Sequence, residues 1–173
     1  MPESAEIYVP QDVYARLRRR AKNVWLWTLS ITVIWMMAIV VAPIFTIGPV
    51  YSFFSHVCHQ IPERSLFLGD HPFAVCSRCF GVYAGLLSGV IAYPLWRQID
   101  ETESLNKLWL FLALIPIGID WTLGVFGVWE NNHVSRVLTG AILGAACATY
   151  IVPAIFEIAR NRLLKNHRKF ARA

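Results

Sequence analysis

Polar and apolar positions in this chain fall into blocks. Four long apolar runs are separated by short polar segments. The first, Val24 to Ile47 (VWLWTLSITVIWMMAIVVAPIFTI), holds no charged residue. The second extends from about Phe73 to Trp96 with one charge, Arg78. The third, Leu108 to Trp129, carries only Asp120, and the fourth, about Val134 to Phe156, has Arg136 near its start. A bilayer core of about 30 Å needs about 20 apolar residues in helical form. The pattern therefore predicts an all-α membrane protein with four transmembrane helices at about 24–47, 73–96, 108–129 and 134–156. Trp25, Trp27, Trp96, Trp109 and Trp129 mark run ends, where half-wet indole rings anchor.

Composition agrees. The chain is 56% hydrophobic and 16% charged, against about 25% charged for an average soluble domain. The first run is longer than the h-region of a signal peptide and follows a long polar leader, so it reads as a retained anchor.

Charge orients the bundle. Arg16, Arg18, Arg19, Arg20 and Lys22 precede the first run, and Arg160, Arg162, Lys165, Arg168, Lys169 and Arg172 follow the fourth. Basic flanks stay cytoplasmic, and four spans put both ends on one side. The expected layout is a basic cytoplasmic segment 1–23, a membrane domain 24–156 with an extracytoplasmic Cys/His segment 48–72, and a basic cytoplasmic tail 157–173. The net charge of +5 then reads as a topology signal that also attracts anionic lipid heads. Nucleic-acid binding by these flanks is set aside. Residues 11–22 are expected as a basic helix on the inner leaflet. The connector and the segment WENNHVSR share the outer side and can meet there.

Gly81, Gly85 and Gly89 repeat every fourth residue, as do Gly140, Gly144 and Ala148. Small residues at this spacing let helix backbones approach within lipid. Arg78 and Arg136 extend these two stripes, and Asp120 shares a face with Pro116, Gly124 and Gly127. At 1.5 Å per residue Asp120 lies roughly 13 Å below Trp129, and Arg78 roughly 7 Å below the start of its run. An unpaired charge at mid-membrane costs about 2.5–3.5 kcal/mol, so Asp120 is expected to pair with Arg78 or Arg136. These residues, with Tyr83, Thr139, Arg64 and Gln60, form the candidate pocket for a polar-headed amphiphile. The plainer alternative is a structural ion pair.

The segment HVCHQIPERSLFLGDHPFAVCSRCFGVYAG, residues 56–85, concentrates the reactive chemistry. Three readings fit its cysteines. One is a Zn²⁺ site made by Cys58, Cys76, Cys79 and one histidine, with His59 preferred and His56 and His71 open. A second is thiol redox at the C-x-x-C motif with a quinone, similar in outline to the quinone-linked disulfide-forming membrane enzymes. Those carry a second outer cysteine pair, which this chain lacks after its third run. The third is a structural disulfide, and spacing alone does not decide. Cys147 reads as a packing residue. If the second helix is already formed at Cys76, about 100° per residue turns both cysteines away from the glycine stripe and toward the folded-over connector. Within that connector, 51–59 is expected as a short interfacial helix, Pro62–Arg64 as a helical turn and Gly69–Asp70 as a turn.

Cys58-His59-Gln60, Arg64-Ser65, Cys76-Ser77-Arg78-Cys79 with Gly81, Tyr83 and Gly85, and Arg136 with Thr139-Gly140 and Gly144 together resemble a family of small predicted membrane proteins. It is classed as a domain of unknown function and marked by CHQ and CxRC signatures. The resemblance covers about residues 56–144 and implies no reaction. It implies that Cys58, His59, Gln60, Arg64, Cys76, Arg78, Cys79 and Arg136 are the marked positions. The functional expectation is a zinc-bearing protein of a bacterial or archaeal cell membrane with a pocket for a polar-headed amphiphile, catalysis left open. The rivals are a thiol–quinone oxidoreductase and a non-catalytic subunit that docks on a membrane-protein partner through its glycine seams and aromatic surface.

Overall fold

The computed structural model describes residues 11–128 and 131–170; the expected interfacial Trp129, the first ten residues and Arg172 lie outside the described residues. Helix α1 (Gln11–Phe45) is followed by a short helix α2 (Gly48–Ser55) and a 3₁₀ turn at Pro62–Arg64. Strands β1 (Ser65–Leu68) and β2 (His71–Cys76) lead into α3 (Ser77–Trp96), α4 (Leu108–Val125) and α5 (His133–Phe170). Among the described residues, four helices are long and apolar enough to cross a membrane: α1, α3, α4 and α5. Their apolar side chains, including Ile31, Ile34, Phe111 and Trp121, stay exposed, as expected where the solvent is lipid rather than water.

Several boundaries differ from expectation: α2 at Gly48–Ser55 replaces the helix expected over 51–59, α4 ends at Val125, and α5 runs past 156 to Phe170. Residues 11–22 do not form a separate surface helix; they continue α1 without a break, because nothing between Gln11 and Asn23 is a proline or glycine. Residues 73–76, read as the start of the second span, are instead strand β2. Phe73, Ala74 and Val75 are buried against Ile39, Ala42 and Phe54, so their apolar character reflects packing under the connector.

The hairpin pairs Ser65 with Cys76, Phe67 with Pro72 and Leu68 with His71, with an irregularity between Ser65 and Phe67. Gly69 turns it with φ +62°, a conformation that glycine adopts freely. Tyr51 Oη donates to the Pro72 carbonyl at 2.6 Å, tying β2 to α2. Gln60 holds φ +50°, unusual for a residue with a side chain. Its Nε2 donates to the carbonyls of Tyr51 and Ala74, both at 2.8 Å, and these bonds hold the strained position.

Helix α3 packs mainly on α5 through the two glycine stripes. A Cβ on Gly81 would meet the Val137 backbone, and one on Gly85 the Ala141 backbone. From the other side, Gly140 and Gly144 face the backbones of Arg78 and Val82. The seams are therefore consumed within the chain and leave no glycine groove there for a partner. Gly85→Ala should lose about 1–3 kcal/mol through overpacking, outweighing alanine's gain of up to about 1 kcal/mol in helix propensity. Gly118, with nothing within 4 Å, is the control. Gly118→Ala should leave the unfolding transition in detergent unchanged or slightly raised.

Candidate metal centre and a buried ion pair

The start of α3 sorts its residues onto two faces. Cys79 and Tyr83, four residues apart, turn toward α1 and the connector, where Tyr83 packs on Trp35 and Phe54. Arg78 turns toward α4 and α5, along the glycine seam. The helix begins at Ser77, so the angular argument governs Cys79 alone. Cys76 is the last residue of β2, delivered by the strand.

On the connector face, the sulfurs of Cys58, Cys76 and Cys79 all lie within 4.8 Å of one another. Cys58 is buried, follows α2 by three residues, and accepts a hydrogen bond from the Cys76 N–H at 3.2 Å. All three are free thiols. Sulfurs from the turn after α2, the end of β2 and the first turn of α3 thus lie close enough to bind a soft metal ion. The Cys76 thiol is pushed down to about 5, chiefly by the hydrogen bond from the Cys79 thiol. Burial opposes this, while the Cys79 and Arg78 N–H groups and the Cys58 thiol assist it.

His59 is exposed and is not among the three groups that lie within 4.8 Å of one another. It nonetheless lines, with Gln60, Arg64 and the three cysteines, a pocket of about 140 Å³ over the thiols. His56 and His71 are also exposed, and His56 Nδ1 contacts the Ser52 carbonyl at 2.9 Å. A helical turn below Cys79, Tyr83 joins Ile31, Thr32, Trp35 and Leu86 around a largely apolar pocket of about 240 Å³.

On the opposite face, Arg78 Nη2 donates to Asp120 Oδ2, one of the two pairings expected for that carboxylate. Asp120 is 7% exposed. Asn131, from the segment before α5, donates through Nδ2 to the Asp120 carbonyl at 2.7 Å and to its Oδ2 at 3.2 Å. Its side chain lies where a Cβ on Gly124 would be, which explains the glycine there. Arg136 lies within electrostatic range of Arg64, Arg78, Asp120 and Cys76.

The candidate pocket residues are thus divided. Arg78 and Asp120 pair, with Arg136 nearby; Tyr83 and Gln60 belong to the thiol face. Thr139 bonds back to the Ser135 carbonyl at 2.8 Å within its own helix. Arg64 lines the thiol pocket and is also within electrostatic range of Arg136, so it links the two faces.

Ser77, Asn131 and His133 also take part, and no motif or spacing singles them out. Buried Ser77 Oγ donates to the Arg64 carbonyl at 2.9 Å and lies 2.6 Å from His133 Nδ1. The available signal is the placement of WENNHVSR on the same side as the connector. That these segments meet is a structural fact.

A bundle of four apolar helices, capped at one end by a hairpin that gathers three thiols, defines a multi-pass integral membrane protein. Residues 58–150 match the family of predicted membrane proteins DUF2085, and the chain belongs to it. It is 43% identical over 108 residues to an uncharacterised protein of Methanocaldococcus jannaschii, covering 62% of this chain and 69% of that one. An uncharacterised protein of Methanothermobacter thermautotrophicus is 36% identical over 95 residues, 55% of this chain and 84% of its own. Both organisms are archaea, consistent with a cell-membrane location. No solved structure matches the chain.

Breaking the buried ion pair should be expensive, because the remaining charge is left in a dry site. Arg78→Ala is expected to cost about 3–5 kcal/mol. Adding Asp120→Ala should cost less than the sum of the single changes, read from unfolding of all four proteins in detergent.

Proposed function

We propose that Cys58, Cys76 and Cys79 hold a Zn²⁺ ion on the extracytoplasmic side of the membrane. The observation that carries this reading is the convergence of three sulfurs within 4.8 Å of one another, from the turn after α2, the end of β2 and the start of α3. Three thiolates and one Zn²⁺ sum to about −1, a charge that Arg64 at the same pocket is placed to balance. His59 lines the pocket over the thiols and is the residue that would supply a fourth ligand.

The same arrangement suits a polar-headed amphiphile. Arg64 and Arg136 supply positive charge near the head. The apolar pocket around Trp35 and Tyr83, a helical turn below the thiols, accepts its hydrophobic tail. Arg78, Asp120 and Asn131 then act as the brace that holds α3, α4 and the start of α5 together, rather than as direct ligands.

A thiol–quinone oxidoreductase is the second reading, favoured by that apolar aromatic pocket beneath a close thiol pair. Two thiols would lose two electrons and two protons to form a disulfide, and a quinone would take them up as quinol.

Purified protein should contain one zinc per chain by elemental analysis. Cys58→Ser should lose the metal together with stability, while His59→Ala should weaken zinc less than loss of a thiolate. Zinc-free protein with a cysteine pair that cycles against an added quinone would favour the second reading. The orientation is tested separately. After chelation in intact cells, the partly exposed Cys76 should react with a membrane-impermeant maleimide, and labelling only in broken cells would reverse the topology.

A further inference from the structure

At the end of the bundle opposite the thiols, α1 and the end of α3 enclose a groove of about 1050 Å³. From the sequence and geometry there, we infer that this groove binds the headgroup of an anionic phospholipid. Arg18, Arg19 and Lys22 of α1 line one wall, and Arg97 joins them from the end of α3. The opposing acid in the lining, Asp100, already accepts a hydrogen bond from Tyr14 Oη at 3.2 Å. Arg97 is paired to Glu101, and its Nη1 is buried with no acceptor among the described residues. The groove therefore carries excess positive charge.

Its depth fits a headgroup. The apolar run begins at Val24, and Lys22, Arg19 and Arg18 lie about 3–9 Å beyond it along a continuous helix. The headgroup layer is about 5–8 Å thick on each side of the hydrocarbon core. The apolar lining lies at the same edge: Leu95 is 86% exposed and Trp96 59% exposed. An indole at this level suits the glycerol and upper acyl region of a lipid, while the cations reach its phosphate. A soluble anion would have no use for the Leu95–Trp96 floor, which favours a lipid as occupant.

The test uses the full chain purified in neutral detergent and titrated with short-chain phosphatidylglycerol or zwitterionic phosphatidylcholine, with bound lipid counted by native mass spectrometry. Phosphatidylglycerol is expected to bind at least about tenfold more tightly. Each groove cation removed should weaken it about fivefold, so Arg18→Gln with Arg19→Gln should weaken it on the order of 25-fold. Lys22→Gln serves as a second variant if that pair fails to give a native helical spectrum. Lys107→Gln removes the same charge at the same end but outside the groove, and should leave binding unchanged. Equal affinity for the two lipids, unchanged binding in the groove variants, or an equal loss in Lys107→Gln would overturn the proposal. So would inorganic phosphate occupying the site as tightly as the lipid, which would make it a free-anion site.

Discussion

The close approach of α3 and α5 sets everything else in this molecule. Backbone meets backbone at Gly81, Gly85, Gly140 and Gly144, and such contacts permit little rotation of either helix. Once α3 is fixed in rotation, Arg78 must point to α4 and α5, and Cys79 must point to α1 and the connector. The separation of a charged brace from a thiol centre follows from one packing seam. Water cannot drive such packing within lipid, so shape complementarity between small residues must do so, and a single added methyl has large consequences.

The connector uses this fixed helix as a platform. Phe54, Phe73, Ala74 and Val75 bury themselves on the end of α1, and the hairpin then has one place to deliver Cys76. Gln60 bonds to α2 and β2 at once, which holds Cys58 near the strand end. Ser77 and His133 join the hairpin end to the start of α5, and Asn131 joins that same segment to Asp120. The thiol centre is thus supported from every spanning helix, directly or through one intermediary.

Much of this architecture is legible in the chain because the signals are strong ones. Apolar length identifies four spans, glycine spacing identifies the seam, and the cost of a bare carboxylate in lipid points to an arginine partner for Asp120, with Arg78 and Arg136 both open until the fold selects Arg78. The hairpin is not legible: Phe73, Ala74 and Val75 are as apolar as a membrane helix, and a four-residue stretch carries too little period to tell strand from helix. The expected pocket also gathers too much into one place. Tyr83 and Arg78 are five residues apart, about 140° around a helix, so with both inside α3 they face different ways. His59 is the preferred fourth ligand although adjacency to Cys58 counts against it, and in the fold it lines the pocket over the thiols without joining their close group. The basic residues 11–22 carry charge information alone, which cannot distinguish a helix lying on a membrane from one continuing out of it.

The thiol centre is tested most directly by X-ray absorption at the zinc edge of the purified protein. The account predicts three sulfur neighbours at about 2.3 Å and one nitrogen or oxygen neighbour at about 2.0–2.1 Å. A first shell of nitrogen and oxygen alone, or no zinc in a protein whose three thiols are intact, would contradict it.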